Sequence, residues 1–233
     1  MYLSARIISK KAVSPTVTIL DLLVPSLGTF RPGQWVDFRV PSMKWIGGFS
    51  ISSCPSSLPR VQIAVKVSSH APAMWVTHDS REGDCVEIQV GGDCVLHSVR
   101  EPAVFCAGGI GISPLLSMYR QHAQERDTNH RRSAFYYSVS TEEELVYAND
   151  IIALSELHND EVTMTLTKQL NWENPLERVR CLTGRKLASF LEENLSATTR
   201  YYLCGPPSMQ DEAMDRLQKH DISTDRIVCE RWW

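Results

Sequence analysis

The sequence predicts two units in tandem, an antiparallel β-barrel followed by an α/β unit built on a parallel sheet. Three observations carry that expectation. Apolar residues recur with period two from Ala5 to Gly92, strand-like and helix-like stretches alternate from Glu101 onward, and the rhythm changes just after the Gly91-Gly92 turn. Period two marks half-buried antiparallel strands, whose successive side chains point to opposite faces. Alternation of β and α elements marks parallel strands joined by right-handed crossovers. The boundary falls near Ser98–Pro102, which gives residues 1–99 and 100–233 as the two domains.

The bulk properties agree with that division. A chain of 233 residues, 43% hydrophobic and 22% charged, can bury the cores of two ordinary domains. A net charge of −3 argues against a nucleic-acid binder, which carries a strongly basic face, and the Arg131-Arg132 pair reads as a solvated loop. No apolar run reaches the ~18 residues of a membrane span. Seven cysteines stand at 54, 85, 94, 106, 181, 204 and 229, without a C-x-x-C pair, and read as free thiols in a reducing compartment. The start of the chain, with Arg6, Lys10 and Lys11, alternates like a strand and lacks a secretory apolar region.

In the first unit, Val36, Phe38 and Val40 alternate with Asp37 and Arg39; Val61, Ile63, Val65 and Val67 with Gln62, Ala64 and Lys66; Val86, Ile88 and Val90 with Glu87 and Gln89. Strands of this kind, separated by turn residues, read as an antiparallel sheet or barrel. Pro32-Gly33 suits the central positions of a type II turn, Pro fixing φ and Gly supplying φ > 0. In the second unit the expected strands are 103–107, 133–139, 162–168, 200–204 and 225–230. Thr141 to Glu144 reads as a capping box ahead of Leu145, Ile151 and Ile152. Leu187, Phe190, Leu191 and Leu195 share one helical face, as do Met209, Ala213 and Leu217.

Chemistry concentrates where the first strand of the second unit runs into Gly108-Gly109-Ile110-Gly111-Ile112-Ser113-Pro114. Ser113 suits the N-cap of a helix and Pro114 its first position. The glycines allow φ > 0 and close approach of a ligand, and Gly111 is expected to face it. Helix-terminal N–H groups and the macrodipole favour a phosphate there. A second strand end, Cys204-Gly205-Pro206-Pro207, breaks in the same way before a helix. Ligands of parallel sheets sit beyond the carboxyl ends of the strands, where Gly108 and Gly205 both fall.

This pair of motifs, in this order and spacing, resembles the ferredoxin-NADP(+) reductase superfamily, with Gly108–Pro114 as its pyridine-nucleotide loop and Cys204-Gly205-Pro206 on its nicotinamide side. The resemblance implies a flavin-type six-stranded barrel, FAD and NAD(P)H as cofactors, and hydride transfer from nicotinamide to flavin. Electrons would pass onward to a separate, unidentified acceptor. Gly47-Gly48-Phe49-Ser50 corresponds to the superfamily's Arg-x-Tyr-Ser; Phe49 keeps the ring and Ser50 the hydroxyl, while Gly47 lacks the arginine that grips the flavin pyrophosphate. Ile51, Val65 and Val67 are the further flavin-side positions it implies. The second flavin marker is not recognisable in Ser69–Trp75, although Pro72 can open a helix there. Cys204 stands beside the nicotinamide, Glu230 takes the place of the proton-handling acid, and Trp232 or Trp233 that of the terminal ring over the flavin.

Thr167-Lys168 resembles the Ser-Arg pair that holds a 2′-phosphate in NADP-using relatives, whereas Glu142, Glu143 and Glu144 would repel one; the balance favours NADH. Among the histidines only His70 and His78, flanking Trp75, stand near the implied flavin edge. The resemblance further implies a mitochondrial setting, with the cytosol as the alternative. Because the pyrophosphate arginine is missing, a second reading stays open: a non-enzymatic dinucleotide-binding module or partner subunit that has lost its flavin.

Overall fold

The alternating residues of the first unit fold as six antiparallel strands in the computed structural model, which describes residues 1–126, 132–173 and 176–231. They are β1 (Leu3–Ser14), β2 (Val17–Leu23), β3 (Trp35–Arg39), β4 (Ile46–Ser50), β5 (Arg60–Lys66) and β6 (Cys85–Gly91), in the order β4-β3-β6-β1-β2-β5. A bridge between Ile51 and Ile63 brings the two edges together and closes the barrel. Ile7, Leu20, Phe38, Ile63 and Ile88 fill its interior and are wholly buried. The turn at Pro32-Gly33 forms as expected: Gly33 has φ 99° and the Gln34 N–H donates to the Arg31 carbonyl at 3.1 Å. A helical segment, α1 (Ala71–Met74), continues as one wider turn through Asp79 and carries Pro72 in its first turn.

The second unit is a six-stranded parallel sheet of β7 (Ala103–Gly108), β8 (Ala134–Val139), β9 (Glu161–Leu166), β10 (Arg180–Thr183), β11 (Arg200–Cys204) and β12 (Ile227–Glu230). Their order is β10-β9-β8-β7-β11-β12. The chain winds outward from β7 to β10 and then returns to the other side of β7. Helices α2 (Ile112–Glu125) and α3 (Ala148–Glu156) cover one face, packing on Phe105, Phe135 and Tyr202. The other face lies under α4 (Leu187–Glu193) and α5 (Pro207–Lys219), against Val104, Cys106 and Leu203. Successive residues of β7 thus enter opposite cores, which is why that strand reads as an unbroken apolar run.

Three local expectations are corrected. Ser113 is not the N-cap: Gly109–Gly111 makes a tight turn that flows into α2, and Gly111 (φ −60°, ψ −8°) holds the cap position. Ser113 and Pro114 therefore fall inside the first turn, where the missing N–H of Pro114 still leaves nothing unpaired. Thr141 makes no capping bond; residues 142–144 form one isolated turn, Tyr147 takes a left-handed φ of 62°, and α3 starts only at Ala148. Strand β10 has no counterpart in the sequence reading, because Arg-Cys-Leu-Thr is a short edge strand without alternation.

Candidate active site

The reversal of strand order between β7 and β11 opens a crevice at their carboxyl ends, the usual ligand position in an open α/β sheet. A cleft of about 440 Å³ lies there, walled by Gly108–Gly111, Ser113 and Cys204–Pro207 on one side and by Gly48, Phe49, Ser50, Ala64, Lys66, Ser68 and His70 of the barrel on the other. A second cleft of about 240 Å³ continues over β8 and β9, past Ser138, Ser140, Thr167 and Arg185, and shares Lys66, Gly108 and Gly109 with the first. Gly109 and Lys66 stand at the junction.

The glycines of the loop divide their roles. A Cβ on Gly111 would lie 2.4 Å from the Cys204 carbonyl oxygen, and one on Gly205 would lie 2.9 Å from Gly108 Cα. A Cβ on Gly108 would meet Pro206 Cδ at 2.6 Å. These three let the two turns touch. Gly109 alone has both a left-handed φ of 53° and open space where its Cβ would be. Gly111 therefore lines the cleft with its backbone, but a side chain there would run into the Cys204 backbone and not toward the ligand space as the sequence reading expects.

One stripe of α2 faces the barrel. Ser113, Ser117 and Arg120 are four and three residues apart and share that face. Ser117 Oγ donates to the Ser53 carbonyl at 2.6 Å, and Arg120 Nη1 donates to the Ser52 carbonyl at 2.8 Å. One turn nearer the N-terminus the barrel wall gives way to the cleft. There the Ser113 hydroxyl, 1% exposed, has no partner among the described residues. A buried hydroxyl left unpaired costs about 1–3 kcal/mol, and this one belongs to the cleft lining. The N-terminus of a 14-residue helix beside it favours an anion.

The barrel wall differs from the sequence reading by one residue. Val61, Ile63 and Val65 point into the barrel core, so Ala64 and Lys66 face the cleft. Val65 and Ile51 are buried there at 1% and 0% exposure, and Val67, 44% exposed, lies beyond the end of β5 outside the cleft lining. Ile112 and Pro114 are likewise packed inside, while Ile110 lines the cleft. His70 lines it as well; His78 instead turns its Nδ1 to its own helix, 3.1 Å from the Met74 carbonyl.

The residues fit a flat ring bearing polar edges. Phe49 and Ser50 face Gly109–Gly111 across the cleft, with Lys66 at its end. They fit a flavin pyrophosphate less well. A Cβ on Gly47 would stand 2.7 Å from the Phe49 ring and 2.9 Å from Pro72 Cβ, and the Phe49 ring is itself held edge-on to Phe38 at 5.5 Å. No side chain can project from position 47 without moving both.

Lys66 was missed by the sequence reading, although its polar place in an alternating strand marks it as outward-facing. Its Nζ lies 3.2 Å from Glu144 Oε1, an ion pair between the two units at the junction of the clefts. Burial pushes the Glu144 carboxyl up, but hydrogen bonds from Lys66 and the Ser140 N–H outweigh it and hold the group below its ordinary range. Thr167 lines the second cleft, whereas Lys168 does not; Arg185 supplies a cation there that the sequence reading did not single out.

Cys204 lines the first cleft at 1% exposure, and burial, helped by the nearby Glu230 charge, pushes its thiol well above the ordinary range. It is therefore a protonated, neutral group. Glu230 is its neighbour across β11 and β12 and is itself buried, away from the cleft lining. Trp232 and Trp233 lie outside the described residues. No group of His, Cys, Asp and Glu arranged for a metal occurs among the described residues, and none of the described helices is long and apolar enough to cross a membrane.

Comparison with known proteins places this geometry in a family. Residues 105–215 match the oxidoreductase NAD-binding domain model. The flavohaem-like FAD/NAD-binding domain of nitric oxide dioxygenase from Vibrio cholerae is similar in fold, with a TM-score of 0.82 at 19% identity, over 99% of this chain and 98% of that one. A ferredoxin NADP+ reductase from Neisseria gonorrhoeae, with bound FAD and NADP, gives a TM-score of 0.79 at 19% identity over 98% of each chain. The human oxidoreductase NAD-binding domain-containing protein 1 is 33% identical over 99% of this chain and 80% of its own length. The chain belongs to the family of oxidoreductase NAD-binding domain-containing protein 1, with the two-sheet fold of the ferredoxin reductases.

Proposed function

We propose that this chain is a flavin-dependent NAD(P)H oxidoreductase that takes reducing equivalents from a nicotinamide dinucleotide and passes them to a separate acceptor. The observation that carries the reading is the Ser113 hydroxyl, buried and unpaired at the N-terminus of α2, next to the open left-handed Gly109. In this reading the dinucleotide phosphates lie over Gly109, and its adenosine end enters the second cleft beside Thr167 and Arg185. The nicotinamide end reaches the first cleft between Cys204-Gly205-Pro206 and the Phe49-Ser50 wall. A flavin bound against that wall supplies a ring that accepts hydride.

The protein's own share is positional. Lys66 offers an ammonium to a phosphate at the junction, and Ser113 a hydroxyl. Ser50 presents a second hydroxyl to a ring edge. Cys204, neutral and small, lets a flat ring approach closely without adding charge. With both rings bound between the two units, the walls of the cleft would hold them together and limit water, which is the larger part of what a cofactor enzyme contributes. The carboxylates of Glu144 and Glu212 in the second cleft oppose a 2′-phosphate, and NADH is the coenzyme proposed. FAD is the flavin proposed, by likeness to the Neisseria reductase.

A second reading, a dinucleotide-binding module without flavin, is favoured by one observation: position 47 has neither an arginine nor room for one. Colour distinguishes the two. Purified protein with flavin absorbance that bleaches anaerobically on adding NADH supports the oxidoreductase. A colourless protein that binds NADH but takes up no added FAD supports the module.

A further inference from the structure

The apolar face of α5 contains one polar interruption. Gln210 is fully buried among residues such as Ala213 and Leu217, where a side-chain amide is costly unless all its hydrogen bonds are made. They are made. Its Nε2 donates to the Gly205 carbonyl at 2.7 Å and to the Glu230 carbonyl at 2.8 Å, and the Cys229 thiol donates to its Oε1 at 2.7 Å. Two carbonyl partners allow only this orientation of the amide. Gly205 lies immediately past the end of β11, and Glu230 is the last residue of β12. Cys204 and Glu230 are the last register pair of that ladder, so the amide bonds the two chains where their own hydrogen bonds run out.

We propose that Gln210 is a positioning residue for the nicotinamide end of the dinucleotide: one side chain fixes the Cys204-Gly205-Pro206 wall of the first cleft against the end of β12. The inference rests on the dinucleotide reading given above. It concerns the nicotinamide end because Cys204 and Gly205 line the first cleft and not the second, where Thr167 and Arg185 stand. Replacing the amide by an apolar side chain of similar length removes these two hydrogen bonds and frees the wall.

The test compares NADH with ADP-ribose, which lacks the nicotinamide, by titration of the full chain and its Gln210→Met variant. The expected result is about a tenfold loss of NADH affinity with ADP-ribose affinity unchanged. Equal losses for both ligands, or none for either, overturn the proposal. A second pair covers a Gln210→Met protein that does not fold. Cys229→Ser keeps a donor to Oε1 and should preserve the NADH to ADP-ribose affinity ratio, whereas Cys229→Ala should lower it; identical ratios in the two variants overturn the proposal. A wild-type chain that binds neither ligand overturns the dinucleotide reading itself, a result distinct from intact binding with an unchanged ratio.

Discussion

Lys66 Nζ stands 3.2 Å from Glu144 Oε1, an ion pair between the barrel and the parallel-sheet unit where the two clefts meet. Lys66 is 40% exposed, so the pair itself contributes little to stability. Its ammonium is nonetheless placed to exchange the carboxylate for a ligand phosphate. Lys66→Met should weaken NADH binding about tenfold, roughly 1.4 kcal/mol, with the melting temperature nearly unchanged. The Glu144 carboxyl is held below its ordinary value, so the pair is intact at neutral pH and is lost only as pH falls through that lowered value. Calorimetric titration with a thermal-melt control checks both parts.

Ser113→Ala should separate function from stability. Removing an unpaired buried hydroxyl leaves the fold unchanged or up to about 1 kcal/mol more stable, while the ligand loses a partner. Denaturant unfolding without ligand and titration with NADH should therefore move in opposite directions. A destabilised variant with unchanged affinity would remove the main support for a ligand at this helix.

The loop glycines should behave differently from one another. Gly111→Ala places a methyl 2.4 Å from the Cys204 carbonyl and should cost about 1–3 kcal/mol of stability by overpacking. Gly109→Ala meets no neighbour and should cost only about 1 kcal/mol, for a left-handed alanine, while obstructing the ligand. Melting temperatures and NADH affinities of both variants test the division.

Coenzyme choice is expected at Arg185 and not at Lys168. Lys168→Ala should leave the NADH to NADPH ratio unchanged, since that residue is absent from the cleft lining. Arg185→Ala should reduce whatever use of NADPH the protein has more than its use of NADH. Steady-state kcat/KM values with both coenzymes decide it.

The stability of the second unit should depend on a pair far from the clefts. Arg126 Nη2 lies 2.7 Å from Asp160 Oδ1, both side chains essentially unexposed, and Asp160 also accepts from Tyr119 and the Ser133 N–H. Asp160→Ala strands a buried guanidinium and should cost about 3–5 kcal/mol in denaturant unfolding. Ligand affinity in the folded fraction should not change.

What was legible in the sequence follows from periodicity and punctuation. Val61, Ile63 and Val65 announced a strand, and the break at Gly108–Gly111 announced the crevice, because both patterns are local. The same strand shows the limit of the pattern. The resemblance implies Val65 and Val67 as flavin-side positions, whereas the pleat sends Val65 inward and Lys66 into the cleft, and no local signal says which face of β5 meets a second unit. Ser113 read as an N-cap because Gly109–Gly111 carries no mark that it is already a helical turn. Arg185 and Gln210 matter through tertiary placement alone: one follows an unrecognised edge strand, and the other looks like a flaw in an amphipathic helix until its three partners are seen.

The register that sets Ala107 beside Cys204 joins segments separated in sequence by three intervening strands. Strands β7 to β10 are neighbours in sequence as well as in space, so that half of the sheet can assemble while synthesis continues. The seam between β7 and β11 has no such advantage, since closing so long a loop costs entropy before its contacts form. The pocket is thus expected to form late in folding. On the proposed function, a dinucleotide that binds only the closed seam lends it stability by mass action, so this joint should hold more firmly as the coenzyme concentration rises.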